Sequence, residues 1–341
     1  MSAAIEYSFV LSRIIKRHSI IQCLEFSKQE QSGLNSKRSS SLLTNVSRLV
    51  MLTILCTVFV IWGTKSGMAQ TQELAANEQA GDKDQSAAEL AQQATNPLSS
   101  SWLMQTQQNN NWAGMPLNKG DRVQSNLLFQ PLMNVKLTDK WTLFTRPIFT
   151  VFNSTPYGNQ TGKNQRTTAF GDTVLAFNLS PRPLLGGHLM FGAGPTFIFP
   201  SATDHRLGQH TWQGGPNVGV VWLGKSFIAY AFPQQWFKIG GSGPKTNQLS
   251  LLWDFTYFLK KGWSIGTNSN VLVNWQAPSG QQATLPIGPQ VGKLVKLGQT
   301  PTLIQLQLQY YPVHPSVYGP KWNIQLQITP TIPSLIKGKI F

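Results

Sequence analysis

Charge is the first thing that this 341-residue sequence lacks. Asp, Glu, Lys and Arg together make up 12% of the chain, about half of the ~25% found in a typical soluble domain. From Ser101 onward there are 19 Lys and Arg against five Asp, and there is no Glu. A soluble β-sandwich keeps its surface in solution with many charges of both signs, so this composition excludes one. The basic residues are also scattered singly, without the clusters that bind nucleic acid.

Long apolar runs are absent too, with one exception. A bilayer-spanning helix needs about 20 mostly apolar residues, and the mean hydropathy of -0.15 excludes a helical membrane bundle. The exception is the run LVMLTILCTVFVIW, residues 49–62. Its length fits the apolar core of a signal peptide, and Gly67 and Ala69 follow it at the spacing of a cleavage site. We predict that residues 1–69 are a basic extension and signal peptide cleaved after Ala69; a retained membrane anchor is the alternative.

Cysteine is nearly absent as well. Cys23 and Cys56 both lie in the predicted prefix, which leaves no thiol in the mature chain and suits export to an oxidising compartment. The next segment, residues 70–100, is rich in Ala, Gln and Glu and has few large apolar side chains. This composition predicts a flexible or weakly helical periplasmic leader.

What the sequence does have, from residue 101 to 341, is alternation of apolar and uncharged polar residues. In LIQLQLQYY, residues 303–311, Leu and Ile share one face of a strand while Gln shares the other. The stretch NQLSLLWDFTY, residues 247–257, repeats this pattern. Twelve strands are predicted, over residues 102–113, 122–137, 140–152, 166–180, 187–199, 212–223, 226–237, 247–258, 263–275, 282–295, 300–312 and 320–332.

These segments predict a membrane barrel. A polar face of Asn, Gln and Ser suits a wet lumen, an apolar face suits lipid, and the connections alternate between short and mostly longer. The sequence therefore predicts an all-β fold, a transmembrane antiparallel up-and-down β-barrel of about 12 strands (range 10–14) in the bacterial outer membrane, with both ends in the periplasm. Its expected partners are outer-membrane lipid and lipopolysaccharide, the barrel-assembly machinery and a small-molecule permeant. The assembly signal is either the terminal Phe341 or an earlier aromatic strand end.

Polar side chains on the predicted lumen faces are the first candidate site. Arg146, Asp172 and Asp254 lie there, and two readings stay open: a charged constriction that selects permeants, or an internal salt bridge that fills a narrow barrel. The uncharged lumen candidates are Gln248, Asn268 and Asn270.

A loop rich in titratable groups is the second candidate site. The stretch PSATDHRLGQH, residues 200–210, carries Asp204, His205, Arg206 and His210, which either bind a solute or metal or shape the turn through side-chain to backbone bonds. We expect no metal and no cofactor. We also expect no catalytic residue, although His314 and Ser316 have the His-x-Ser spacing of a barrel phospholipase.

Several longer stretches resemble a known family. They are ELAQQATNPLSSSW at 89–102, FGDTVLAFNLSP at 170–181, GPTFIFPSATDHRLGQHTWQGGP at 194–216, LPIGPQVGKLVKLG at 285–298 and YYPVHPSVYGPKWNIQLQIT at 310–329. In this order they resemble the bacterial outer-membrane proteins labelled "neuromedin U" or transporter, which are grouped with the MetA-pathway phenol-degradation barrels. The resemblance implies a channel or transporter for small solutes and suggests an aromatic permeant, whereas the excess of basic residues favours an anionic one. The alternatives are a structural barrel whose lumen is plugged by the leader or by inward loops and, third, an outer-membrane hydrolase.

Overall fold

The computed structural model describes residues 87–114, 121–158, 164–316 and 319–336, together with 338 and 340. The predicted signal segment, cleavage after Ala69, most of the leader and Phe341 lie outside the described residues. One α-helix, α1 (Ala87–Thr95), precedes the strands, and among the described residues no helix is long and apolar enough to cross a membrane. The strands are β1 (Trp102–Gly114), β2 (Asp121–Lys136), β3 (Trp141–Gly158), β4 (Asn164–Ala169), β5 (Thr173–Pro181), β6 (Leu189–Phe199), β7 (Thr211–Leu223), β8 (Phe227–Gly241), β9 (Asn247–Phe258), β10 (Trp263–Asn274), β11 (Ala283–Ile287), β12 (Gln290–Leu297), β13 (Thr300–Val313) and β14 (Pro320–Ile332).

The strands close into a barrel. Each pairs antiparallel with its neighbours, β1 also pairs with β14, and the β9–β10 pairing completes the ring. Both β4 and β5 pair with β3, and both β11 and β12 lie between β10 and β13, so each couple is one interrupted barrel strand. The fold is a closed 12-stranded antiparallel β-barrel. The predicted fold and all twelve predicted strands are confirmed, and the two interruptions, at 170–172 and 288–289, are additional.

The two ends of the barrel differ. At one, the turn end, lie Trp102 and Ile332, which pair where the barrel sheet starts and finishes, and the connections after β2, β5, β7, β9 and β12. At the other, the loop end, lie the connections after β1, β3, β6, β8, β10 and β13. An even number of barrel strands brings both termini of the sheet to the same end.

The inner and outer faces follow the alternation. On β13 the inward Gln307 is 1% exposed, while the outward Leu306 and Leu308 are 50% and 47% exposed. Such a row of outward apolar side chains costs free energy in water and is favourable in lipid. The glutamine face of residues 303–311 is therefore the lumen face, as predicted.

Tryptophans lie on the outer face near both ends. Three of them (Trp141, Trp222 and Trp263) are near the turn end and three (Trp212, Trp275 and Trp322) are near the loop end, all 42–48% exposed. At the turn end the Lys293 ammonium lies 4.7 Å from the centroid of the Trp263 ring. Two rings of amphipathic aromatic side chains are typical of the two interfaces of a bilayer.

Candidate functional site: the barrel lumen

Amide side chains from neighbouring strands line the lumen and bond to one another. Gln105 Nε2 donates to Gln327 Oε1 at 2.6 Å, and Gln327 Nε2 donates to Gln305 Oε1 at 2.8 Å. Further along the same strands, Asn323 Nδ2 donates to Gln309 Oε1 at 2.9 Å. Because each amide both donates and accepts, neighbouring amides can form hydrogen bonds with one another without any charged group. We call this set of lumen amides the amide girdle.

The amide girdle reaches a buried arginine on one side. Gln130 Nε2 donates to Gln107 Oε1 at 3.1 Å, and the Oε1 of Gln130 accepts from Arg146 Nη2 at 2.6 Å. The Nε of Arg146 is buried and has no hydrogen-bond partner among the described residues. Arg146 follows Phe144 at a spacing of two on β3, so both side chains lie on the lumen face.

On the other side of the lumen the girdle reaches Asp254. Its Oδ1 accepts from Thr256 Oγ1 at 2.8 Å and its Oδ2 from Asn268 Nδ2 at 3.3 Å. The backbone carbonyl of Asn268 in turn accepts from Gln307 and Gln309. Asp254 is thus held by two donors of its own, whereas Arg146 has no carboxylate partner among the residues that the structure describes.

Arg146 and Asp254 line a common narrow cavity, of about 20 Å³, without forming an ion pair. Asp204, in the 200–210 loop, does form ion pairs, with His205 and Arg206. The internal salt bridge that was one interpretation of the charged strand residues is therefore not formed between Arg146 and Asp254. A second narrow cavity, also of about 20 Å³, reaches Arg146 and is bordered by Phe144 and Phe232.

The helix α1 occupies the turn end of the lumen. Its Ala91 and Ala94, with Leu98 just beyond it, are buried in one cluster with inward-facing side chains of β3, β7, β8, β9 and β13. Those strands lie on different sides of the barrel, so the helix lies between them. Gln92 Nε2 donates to the carbonyls of Gly224 and Phe227, at 2.8 and 2.9 Å, in the β7–β8 turn.

The segment after α1 returns to the barrel wall. Asn134 Nδ2 donates to the carbonyls of Ser99 and Ser101, at 2.9 and 3.3 Å. Thr95 and Pro97 line the cavity that contains Arg146. Residues 87–100 belong to the segment predicted to be a flexible or weakly helical leader; the structure gives this part a helix packed inside the barrel.

The remaining predicted lumen residues are placed as follows. Gln248 donates to Gln213 at 2.7 Å near the loop end, and Asn270 accepts from Ser250 at 2.6 Å. Asp172 was expected on a strand, facing the lumen. It lies instead in the interruption between β4 and β5, where its carboxylate accepts the backbone N–H groups of Ala202 and Gln209 at 3.2 and 2.9 Å. Asp172 thus anchors the 200–210 loop, because the break in the strand ends the alternation from which its face was inferred.

The polar side chains of the 200–210 loop form contacts within the loop and with the neighbouring strands β3 and β4. Asp204 accepts from the Thr167 hydroxyl at 2.5 Å and from the backbone N–H of Arg206 at 2.9 Å, and these donors hold the pKa of Asp204 below its usual value. The Arg206 guanidinium carbon lies 4.5 Å from the centroid of the Tyr157 ring. His210 bonds to the carbonyl of His205 at 3.1 Å. These contacts favour the turn-shaping reading of Asp204, His205, Arg206 and His210.

The His-x-Ser spacing of His314 and Ser316 does not correspond to a catalytic pair. His314 Nδ1 lies 2.8 Å from the carbonyl of Pro315, whereas the Ser316 hydroxyl donates to Gln281 Oε1 at 3.1 Å, so the His and Ser do not form a nucleophile–base pair. Among the described residues, no group of three or more His, Cys, Asp or Glu side chains is placed to hold a metal ion.

The comparisons with known proteins agree with the barrel. No protein-family model matches the sequence, and no curated protein matches it. Among solved structures, the chain is similar to the COG4313 outer-membrane channel from Pseudomonas putida F1, with a TM-score of 0.51 and 16% identity over 68% of this chain and 95% of that one. The likeness shows a shared fold.

Two other solved structures are more distantly similar. The transport unit of the autotransporter AIDA-I from Escherichia coli has a TM-score of 0.41 and 10% identity, over 72% of this chain and 96% of that chain. The toluene transporter TodX from Pseudomonas putida has a TM-score of 0.35 and 10% identity, over 72% and 91%.

Two parts of the lumen were missed by the sequence analysis. Tyr230, whose hydroxyl accepts from Asn268 Nδ2 at 3.4 Å, lies on the inward face of β8, and the alternation on that strand could have identified it. The helix α1 carries Ala88, Ala91 and Ala94 at a spacing of three. Small side chains on one helix face permit close packing, and this signal was present in the leader.

Proposed function

We propose that the protein is an outer-membrane channel for small solutes, with its turn end in the periplasm. The observation that carries the proposal is the pairing of an uncharged amide girdle inside the closed barrel with an apolar outer face between two rings of tryptophan. A lumen of Asn and Gln side chains solvates a polar permeant without holding it tightly, because neutral amides both donate and accept weakly. The barrel's similarity to a solved outer-membrane channel adds support.

The proposal includes the predicted route to that membrane. Residues 1–69 would direct export and be removed after Ala69, and the barrel-assembly machinery would insert the sheet among lipid and lipopolysaccharide. The lumen candidates Arg146, Asp254, Gln248, Asn268 and Asn270 would line the permeation path. The resemblance to the neuromedin U and MetA-pathway barrels agrees with transport and suggests an aromatic permeant, and the excess of basic residues favours an anionic one.

A second candidate, a structural barrel without transport, is favoured by one observation. The helix α1 fills the turn end with buried Ala91, Ala94 and Leu98. A helix that stays docked would leave only narrow space beside it. The two candidates therefore differ in whether solute passes while the barrel is intact.

Single-channel recording in a planar bilayer tests the proposal. The full chain, extracted from the membranes of a Gram-negative host, is expected to give small discrete conductance steps and, under a salt gradient, a reversal potential shifted toward that of the anion. A parallel sample must migrate on unheated gels as a folded barrel. Silence from such a folded and inserted sample would favour the structural barrel.

A further inference from the structure

The turn end of the barrel carries a rim of exposed basic side chains. Four of its five connections contain a Lys or Arg, and a further Lys lies just before the fifth. We call these residues the basic rim: Lys140, Arg182, Lys225, Lys260, Lys261 and Lys296. The structure describes all five connections, and the one acidic residue in them is Asp139. A ring of charges of one sign attracts a partner of the opposite sign.

The helix α1 begins against the basic rim. A Cβ added at Gly262 would lie 3.5 Å from the Cβ of Ala87, the first residue of α1. Gly262 directly follows the lysine pair 260–261. Gln92, in the second turn of α1, bonds to the two carbonyls that flank the β7–β8 turn, which contains Lys225. The chain that precedes α1 therefore enters the turn end beside three side chains of the basic rim.

We propose that the acidic segment 70–86 docks on the basic rim. The segment carries four acidic residues and one lysine: Glu73, Glu78, Asp82, Lys83 and Asp84. A chain spans at most about 3.6 Å per residue, so the Cα atom of Asp84 lies within about 11 Å of that of Ala87. This range is comparable to the Debye length of about 8 Å at physiological salt. The rim lysines beside Ala87 therefore attract the segment where it joins α1.

The covalent link favours this occupant over a separate anionic partner. A short flexible linker gives an attached segment an effective concentration on the order of mM. Fully extended, residues 70–86 span about 60 Å, which allows the segment to follow the rim past several connections. Single exposed ion pairs are weak, so docking depends on several pairs acting together and on low salt. The phosphate groups of lipids are the competing occupant.

Electron paramagnetic resonance of a spin label in the segment tests the docking. The full chain, with Cys23→Ser and Cys56→Ser, carries a nitroxide on Ala76→Cys and is reconstituted in vesicles of neutral phosphatidylcholine. The label is expected to be immobilised at about 0.01 M salt, where the Debye length is about 30 Å, and mobile at about 1 M, where it is about 3 Å. Each sample must run as a folded barrel on unheated gels.

Two pairs of lysines provide the matched comparison. Lys260→Gln with Lys261→Gln is expected to lower the ratio of immobile to mobile label at low salt at least about twofold, because two weak ion pairs are lost. Lys238→Gln with Lys245→Gln removes the same charge at the loop end. This control should leave the spectrum unchanged, because the loop end lies across the barrel from the point where the segment joins α1.

Three results would overturn the proposal. One is a label that is equally mobile at both salt concentrations, and another is an equal effect of the two lysine pairs. The third is a label that is immobile in phosphatidylcholine and mobile in anionic phosphatidylglycerol at low salt, since lipid phosphates would then occupy the rim. The docking does not depend on conduction: a barrel that immobilises the label and conducts no ions keeps the docked segment and loses the channel.

Discussion

The helix α1 fills the turn end of the lumen, and Leu98→Ala should weaken its docking there. Leu98 is 1% exposed and belongs to the cluster that joins α1 to the barrel wall. Truncating a buried Leu to Ala costs about 2–5 kcal/mol. This cost weakens the docking of α1 if the helix can undock and if undocking exposes Leu98. The ratio of undocked to docked protein then rises roughly thirtyfold to several thousandfold, because each 1.4 kcal/mol is about a factor of ten.

The assay is single-channel recording of Leu98→Ala, with Leu308→Ala as the matched control. Leu98→Ala is expected to add a larger conductance level, or to lengthen the time spent in it. Leu308→Ala removes the same atoms from the outer face, where Leu308 is 47% exposed, and is expected to record like wild type. Gln92→Ala, which removes two hydrogen bonds to the β7–β8 turn, should act in the same direction and more weakly.

Identical conductance histograms for wild type and Leu98→Ala would refute this reasoning. The comparison requires that both proteins run as folded barrels on unheated gels. Identical histograms from folded proteins would mean that α1 does not restrict the ion path, or that the ion path does not pass α1.

Three further predictions concern the wall, the loop and the lumen charge. Gly215→Ala should destabilise the barrel by about 1–3 kcal/mol, because an added Cβ would lie 1.9 Å from a carbonyl oxygen of the neighbouring strand. In the control Gly240→Ala the nearest atom to the added Cβ is 3.8 Å away, so this variant should melt like wild type. Equal melting temperatures for the two variants would contradict the close approach at Gly215. The Thr167 hydroxyl is the largest cause of the lowered pKa of Asp204. The ionised Asp204 therefore stabilises the 200–210 loop fully above about pH 4, and this stabilisation is lost as the pH falls through the pKa of the folded state. Protease cleavage within 200–210 should rise only in acid, and an equal rise in Asp204→Asn would disprove the assignment. Asp254→Asn should shift the reversal potential further toward that of the anion, and an unchanged potential would place Asp254 outside the ion path.

The barrel could be predicted because alternation is a local signal. A period of two decides which side chains share a face, so residues 303–311 and 247–257 showed their lumen faces without any knowledge of their neighbours. The two interruptions were less visible. Pro289 has no N–H to donate and Gly288 lies tight against the carbonyl of Leu308, which breaks that strand locally. Asp172 was assigned to the wrong environment because a face cannot be counted across such a break.

The position of α1 could not be read in the same way. The alanine spacing indicates which face of the helix packs, but the surface that receives it is assembled from five strands far apart in sequence. The same is true of Arg146. Its place on a lumen face follows from alternation, while the absence of a carboxylate partner depends on where the barrel closure puts Asp254.

The excess of basic residues affects ion selectivity mainly through the few that face the lumen. Most of the 19 Lys and Arg after residue 100 cannot set selectivity, because exposed charges are screened over about 8–10 Å at moderate salt. Among the described residues, only Arg146 and Asp254 bring charge to the two lumen cavities. Removing exposed turn-end charges such as Lys260 and Lys261 should therefore shift the reversal potential less than Arg146→Gln alone. Equal shifts would mean that the electric field at the mouth of the barrel, and not the charge of Arg146 in the lumen, selects the ion.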